Sequence, residues 1–375
     1  MKYVVTSTLL YSRLQLIDRV ITQKNSFPIL SCFLFKIKDN NLEVTATDND
    51  TTLKCNIALT ESDSDSSFAI PAKQLLDILK EIPEQPLAIE YNPTTLQIDI
   101  TYQNGHFSLQ AEPGDEFPAL KKHDGEGHRI TLEAATLSRG FASAIIAASN
   151  DEARKVMNGI FIDITPQDLS VVASDGHKLV CYKIICDTNN TTTNFILPRK
   201  PATLLRSIID KMSGDITLCT YDDGSAVIEA DSFNMTCRLL QEKYPNYKNV
   251  IPQNNTNIAT IDKASLQSAV RRVLVASDKA TSLCKFTFEP GKVTLITENQ
   301  PYAQSAEEKI VSQYEGTPLR IGFRGDYLLE LLSTIQSQDV ILRLSDPSRA
   351  GLILPSEQEK NTDVIMLLMP LLIAN

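Results

Sequence analysis

Tryptophan is missing altogether and aromatic residues make up only 6% of the 375 residues, while Gly (14) and Pro (18) stay at ordinary levels. Those counts exclude collagen-like, mucin-like and prion-like chains. Cysteine occurs seven times, at 32, 55, 181, 186, 219, 237 and 284, but never as C-x-x-C. Neither a zinc ribbon nor a disulfide framework is suggested, and a reducing cytoplasm is the simplest setting. Long apolar runs are also missing: Val364 to Leu372 is about half a membrane span. The start, Met1-Lys2-Tyr3-Val4-Val5, lacks the apolar stretch and cleavage site of a signal peptide, so no membrane anchor is expected. There is no excess of basic residues either. The 36 Lys and Arg against 46 Asp and Glu give a net charge of −10, typical of a soluble protein rather than an obvious polyanion binder. What is present is apolar mass, 42% of the chain, enough for about two to four domains with real cores.

The chain repeats itself. Helical stripes at i, i+4 and i+7 begin at Leu10 (with Leu14 and Ile17), Leu137 (Phe141, Ala144) and Leu266 (Val270, Val273), 127 and 129 residues apart. A short strand-like run precedes each: Lys2 to Thr6, Arg129 to Leu132 and Ile258 to Ile261. Two β-patterned runs follow each as a hairpin: Cys32 to Ile37 with Leu42 to Ala46, Gly159 to Ile164 with Leu169 to Ala173, and Cys284 to Phe288 with Val293 to Ile296. Asp48, Asp175 and Asn299 are expected to close these hairpins in equivalent places. A second helix recurs around Leu75 to Leu79, Leu204 to Ile208 and Leu328 to Leu332, the first two behind Pro71 and Pro198. Further strand pairs begin at Leu87, Ile216 and Val340. Five features in one order predict an α+β protein of three tandem copies, 1–125, 126–254 and 255–375, joined at turn-rich Asp124-Gly125-Glu126-Gly127 and Pro252-Gln253-Asn254-Asn255-Thr256-Asn257. Such a module repeated end to end makes an arc.

The six recurring helices, read as 9–24, 73–82, 137–149, 199–212, 266–279 and 324–336, carry +2, 0, +1, +3, +2 and −1. Their sum of +7 leaves −17 on the remainder of a chain of net −10. Helices sharing one face would make that face cationic and the rest anionic, the segregation needed to surround a polyanion without adhering to everything else. The cations concerned are Arg13, Arg19, Lys24, Arg139, Arg199, Lys200, Arg206, Lys211, Arg271 and Arg272. Any amphipathic helix turns some Lys and Arg outward, so the charge pattern has an ordinary reading as well.

Catalytic chemistry has no visible home. His106, His123 and His128 read as solvated histidines in polar, turn-like stretches, and Ser174-Asp175-Gly176-His177 reads as a hairpin exit turning at Gly176. Its residues are too close in sequence for a Ser-His-Asp triad. Phosphate-cradling glycine motifs are absent, and Cys181 and Cys186 read as buried thiols rather than ligands. No catalytic residue, metal or cofactor is expected.

Several stretches resemble the bacterial sliding clamp family, the beta subunit of DNA polymerase III. They are Ser26-Phe27-Pro28-Ile29-Leu30, Thr47-Asp48, Ala173-Ser174-Asp175-Gly176-His177-Lys178-Leu179, Leu197-Pro198-Arg199-Lys200, Tyr244-Pro245-Asn246-Tyr247, Ile321-Gly322-Phe323 and Met369-Pro370. The resemblance covers the whole chain, and the Asp-Gly-His and Tyr-Pro-Asn-Tyr segments are the distinctive ones. It implies three copies of the clamp fold, helices lining an inner face and sheets outside, in a head-to-tail homodimer that closes into a ring around duplex DNA without sequence preference. It implies a non-catalytic processivity factor in the cytoplasm, loaded by an ATP-driven clamp loader and tethering the DNA polymerase III catalytic subunit and other clamp-binding-motif proteins.

The resemblance also carries residues. A partner-peptide pocket would comprise Met157, Ser174, Gly176, His177, Lys178, Leu179, Pro245, Val250, Tyr327, Leu367, Leu368, Met369, Pro370 and Leu371. Lys24, and Arg154 with Lys155, match basic positions in DNA-facing loops. Phe107 with Val275 and Ala276 match the apolar subunit contact, with Lys73 facing Glu307 and Glu308 at a polar rim. Lys178 and Asn249 stand where Arg is usual, Thr281 where an aromatic is common and Arg324 where Asn is common, and the tail continues through Leu372-Ile373-Ala374-Asn375. These departures bear on peptide preference. A second reading is a cytosolic enzyme or small-ligand-binding repeat protein whose Asp-Gly-His turns line a site. The triplication separates the two, because a catalytic site rarely needs three equivalent modules.

Overall fold

The computed structural model describes every residue except 23–26, 60, 120–126, 152 and 374–375. Among the described residues each third has one element order: a strand, a helix, a three-stranded meander, a strand, a second helix and a second meander. The helices are α1 (Ser7–Ile17), α2 (Ala72–Glu81), α3 (Ala134–Ile145), α4 (Arg199–Ile209), α5 (Lys263–Leu274) and α6 (Gly325–Thr334). The apolar stripes expected from the sequence are the buried faces: Leu10, Leu14 and Ile17 on α1, Leu137, Phe141 and Ala144 on α3, Leu266, Val270 and Val273 on α5.

The helices are shorter than the apolar pattern suggests. After α3 the amides of Ala147 and Ala148 donate to the carbonyls three residues back, and Val275, Ala276 and Ser277 do the same after α5. A 3₁₀ turn, Asp18–Val20, follows α1. These tight turns keep apolar side chains pointing inward for some residues past the last α-helical one, so periodicity overshoots the true end. His106 and His128 lie in strands, Gly105–Gln110 and His128–Glu133, rather than in turns, and both are exposed; His123 falls outside the described residues.

The chain forms two compact units, and neither is one of the repeats. The first combines Met1–Glu133 with Ser207–Leu239, the second Ala134–Arg206 with Leu240–Asn375. In the first unit a nine-stranded antiparallel sheet is continuous because Thr51–Ala58 pairs with Phe233–Arg238, Leu53 opposite Met235. In the second, Lys178–Ile185 pairs in the same way with Thr362–Leu368, Leu179 opposite Leu367. Each join puts the third strand of one repeat's first meander beside the last strand of the next repeat. Each unit also has a five-stranded sheet. One edge of each is a two-residue strand, Glu61–Ser62 or Pro370–Leu371; the other is long, Gly105–Gln110, which ends the first repeat's second meander, and Gln304–Val311, the third strand of the third repeat's first meander.

Burial accounts for the cysteines. Six cysteines are buried in strands, Cys219 among them; desolvation pushes the Cys32 thiol up to about 11 and those of Cys55, Cys181, Cys237 and Cys284 up to about 12, so these five are protonated at neutral pH. Cys186 is partly exposed. No helix among the described residues is long and apolar enough to cross a membrane.

Candidate functional site

The residues singled out for peptide binding all lie in the second unit, which brings His177, Lys178, Tyr327 and Met369 together. Strand Asp168–Ser174 ends in a turn built chiefly by Asp175, whose Oδ1 accepts from the amides of His177 (2.8 Å) and Lys178 (2.9 Å), while the Ser174 hydroxyl accepts from the Gly176 amide. Gly176 takes the left-handed conformation the turn needs, φ 89°. Asp48 does the same in the first repeat, accepting from Asp50 and Thr51. Asn299 does not share this role, since its side-chain Nδ2 donates to the Ser277 carbonyl and a 3₁₀ turn follows. The Asp175 turn lifts His177 into solvent with its ring 6.2 Å from that of Tyr327.

The chain end crosses the same spot. After strand Thr362–Leu368 the Met369 amide donates to the His177 carbonyl at 2.8 Å. Pro370 and Leu371 then pair with Phe323 and Gly322 of the five-stranded sheet. Met369, 41% exposed, therefore stands at the passage from one sheet to the other. Gly322 makes this route possible, because a Cβ there would lie 2.8 Å from the Leu371 carbonyl and 2.9 Å from Ile373. Gly322→Ala is expected to lift the tail, lowering unfolding free energy by about 1–3 kcal/mol in urea melts and exposing residues after Leu368 to limited proteolysis.

Below the surface the carried-over residues differ in role. Leu179, Leu367 and Leu368 are buried at 1–3% exposure and form the floor, Leu179 and Leu367 in one cluster with Phe161, Tyr244 and Tyr247. Tyr244 stacks on Phe161 at 4.7 Å, and the Tyr247 hydroxyl donates to Asp163 at 2.9 Å. The Tyr-Pro-Asn-Tyr segment is thereby pinned by both tyrosines while Pro245 and Val250 stay exposed. Met157 is half-buried, its carbonyl accepting from the Ser149 amide. Ser174 donates to the Lys178 carbonyl at 2.9 Å.

Lys178 is buried rather than presented to solvent. Its ammonium is ion-paired to Glu330 on α6, lies 3.8 Å from Asp175 and sits 4.2 Å from the Tyr327 ring centre. Arg324 approaches the same ring at 4.7 Å while gripping Asp326 through Nε and Nη2. Burial pushes the Tyr327 phenol up, and Arg324 opposes it. Two of the positions that depart from the family pattern thus form a charged bracket around Tyr327. Glu330, which completes the bracket, carried no sequence signal. Asn249 is exposed, and Thr281 accepts from the Leu283 amide.

Over the α-helices as observed, α1 to α6 carry +1, 0, +1, +3, +3 and −2. The sum is +6, leaving −16 on the rest of the chain. Several candidate cations already have partners. Arg13 and Arg19 donate to the carbonyls of Ser232 and Ser207. Arg139 meets Glu359 at 2.8 Å, and Arg154 donates to the Asp175 carbonyl and pairs with Asp151. Arg199 bonds Asn150, and Arg272 pairs with Glu308. Lys155, Lys200, Arg206, Lys211 and Arg271 are exposed. Lys24 lies outside the described residues. At the proposed subunit contact Phe107 is 37% and Val275 75% exposed, Ala276 is half-buried and Lys73 is exposed.

Three family models match in chain order: DNA polymerase III beta subunit, N-terminal domain over residues 1–121, central domain over 131–246 and C-terminal domain over 248–369. The chain belongs to the DNA polymerase III beta subunit family. It is a sliding clamp, a processivity factor and not an enzyme. The beta sliding clamp of Pseudomonas putida is 26% identical over 369 residues, spanning 98% of this chain and 99% of that one. That of Proteus mirabilis is 26% identical over 347 residues, 92% and 94% of the two chains. Among solved structures, the griselimycin-bound sliding clamp of Bartonella birtlesii superposes with a TM-score of 0.90 at 26% identity, covering both chains completely. A Pseudomonas aeruginosa clamp reaches 0.93 at 23% identity, also over the whole of both chains, a likeness of fold.

Proposed function

We propose that two copies of this sliding clamp join head to tail into a six-module ring around duplex DNA. The observation that carries the reading is the pair of outer strands left over from otherwise equivalent joins. Repeats one and two meet through the third strand of a first meander and a last strand, and so do repeats two and three. Among the described residues, the third repeat's equivalent strand, Gln304–Val311, and the strand that ends the first repeat's second meander, Gly105–Gln110, have no such partner. A heterologous contact of this kind closes when the rotation per module permits, and it covers two long edges that a soluble protein otherwise has to protect. Carrying the register of the two joins across sets Phe107 opposite Ala306, with exposed Val275 at hand for its ring. The modules themselves are proposed at 1–125, 126–254 and 255–375.

In this reading Arg13, Arg139, Arg154, Lys155, Arg199, Lys200, Arg206, Arg271 and Arg272 contact the DNA backbone, and Lys24, outside the described residues, is proposed for the same role. The bracketed surface around His177, Tyr327 and Met369 takes the linear peptides of the DNA polymerase III catalytic subunit, the clamp loader and other partners in the cytoplasm. A wide cationic passage touches phosphates directly or through water, so binding is weak, salt-sensitive and indifferent to sequence. Retention then depends on topology. Rings loaded on nicked circular DNA should stay bound through gel filtration and be lost once the circle is linearised. Equal retention on both forms, or a marked base preference, would remove the encircling mechanism.

A further inference from the structure

Both acids on the outer strand Gln304–Val311 already have cations from their own chain. Glu308 faces α5, where Arg272 holds it at both oxygens, Nε to Oε1 at 2.5 Å and Nη2 to Oε2 at 2.8 Å. Glu307, one residue away and so on the opposite face, meets Lys309 at 2.9 Å. The other outer strand, Gly105–Gln110, reads GHFSLQ and contains neither Lys nor Arg. Beside polar side chains, His106, Ser108 and Gln110 on one edge and Gln304 and Ser305 on the other, the two edges expose apolar surface: Phe107 on one, Val275 and Tyr302 beside the other, the last two each 75% exposed. A two-point guanidinium–carboxylate pair fixes orientation as well as charge. A carboxylate so engaged has little to gain from a cation on a second chain, which would have to displace a neighbour already in place.

We infer that the subunit edge is neutralised within each chain: Arg272 is a positioning residue that ties the edge strand to α5 and withdraws Glu308 from the contact, so the subunits join through backbone hydrogen bonds and apolar side chains without ion pairs between them. This rests on the head-to-tail reading above and deepens it. It takes Arg272 out of the DNA-facing set and Lys73 out of the rim. The Arg272 hydrogen bond holds the Glu308 carboxyl below its usual range. The pair is therefore fully formed above the ordinary carboxylate range, is lost as pH falls through the lowered value, and is intact at neutral pH.

Salt supplies a sign that separates the possibilities. Each chain carries −10, so two chains repel at long range and added salt screens that repulsion. A contact held by ion pairs between chains weakens as salt rises, whereas one without them holds steady or tightens. The test is the dissociation constant of the full-length dimer by sedimentation at about 50 and about 500 mM NaCl. The wild type should bind equally well or more tightly at the higher salt. Arg272→Met should loosen the dimer roughly three- to fivefold, Lys73→Met should leave it unchanged, and the exchange Arg272→Glu with Glu308→Arg should recover most of the loss. A dimer that weakens about tenfold at high salt, a loosening by Lys73→Met, or an unchanged constant in Arg272→Met would each overturn the inference. A wild type that is monomeric at micromolar concentration, or indifferent to Phe107→Asp, would instead remove the head-to-tail reading itself.

Discussion

Replacing Phe107 by Asp should split the assembly into monomers. The wild-type chain is expected to sediment near twice 41.6 kDa at micromolar concentration, and the variant near the single-chain mass. Phe107 stacks on Tyr102 with ring centres 5.9 Å apart and lies across from buried Ile100. Its inner side is thus supported and its exposed side is free to meet a second chain. A carboxylate there would be driven into an apolar contact without a partner, at a cost of about 3 kcal/mol or more, over a hundredfold in dissociation constant. The folded monomer should survive, because the residue sits on an outermost strand and its present exposure lets the carboxylate stay hydrated. Unchanged far-UV circular dichroism with halved mass is the expected pair of results. An intact dimer would mean that the chain associates through another surface.

The second large effect concerns the tail. Removing residues 369 to 375 should weaken binding of a fluorescent Gln-x-Leu-x-Phe peptide by about tenfold or more, some 1.4 kcal/mol, and leave the dimer constant unchanged. A Gln side chain entering an apolar surface must keep hydrogen-bond partners, and the backbone around Met369 and Pro370 is the part of the site able to supply them. The truncation also removes the Met369 amide from the His177 carbonyl and Pro370–Leu371 from Gly322–Phe323. His177→Ala serves as a companion, since its exposed ring can be removed without disturbing the Asp175 turn, whose hydrogen bonds run to backbone amides. Unchanged affinity in both variants would place peptide binding elsewhere.

Much of this architecture can be read from the chain because it is local. The Leu10, Leu137 and Leu266 stripes repeat every turn of a helix, and Asp175 and Gly176 carry their turn within four residues. Helix ends are less legible, since the 3₁₀ turns after α3 and α5 keep an apolar rhythm that periodicity cannot distinguish from more helix. The joins are invisible locally: nothing in Lys178–Ile185 announces that its neighbour is Thr362–Leu368. The proposed peptide surface is marked in the chain by its Asp-Gly-His and Tyr-Pro-Asn-Tyr stretches. The burial of Lys178 against Glu330 depends on α6 packing beside a strand about 150 residues away, and that geometry leaves no mark on either segment.

The join in the second unit imposes an order on biosynthesis. Lys178–Ile185 is almost wholly buried in the finished protein, yet the strand that completes its sheet is translated about 180 residues later. At ~5–20 residues per second a ribosome needs roughly ten to forty seconds to deliver it. Throughout that interval the nascent chain displays a long apolar strand with one side of its backbone unpaired, the kind of edge that recruits neighbouring chains. The edge of the middle third is closed only once Thr362–Leu368 emerges, and a message truncated before Thr362 yields a product with that edge permanently open.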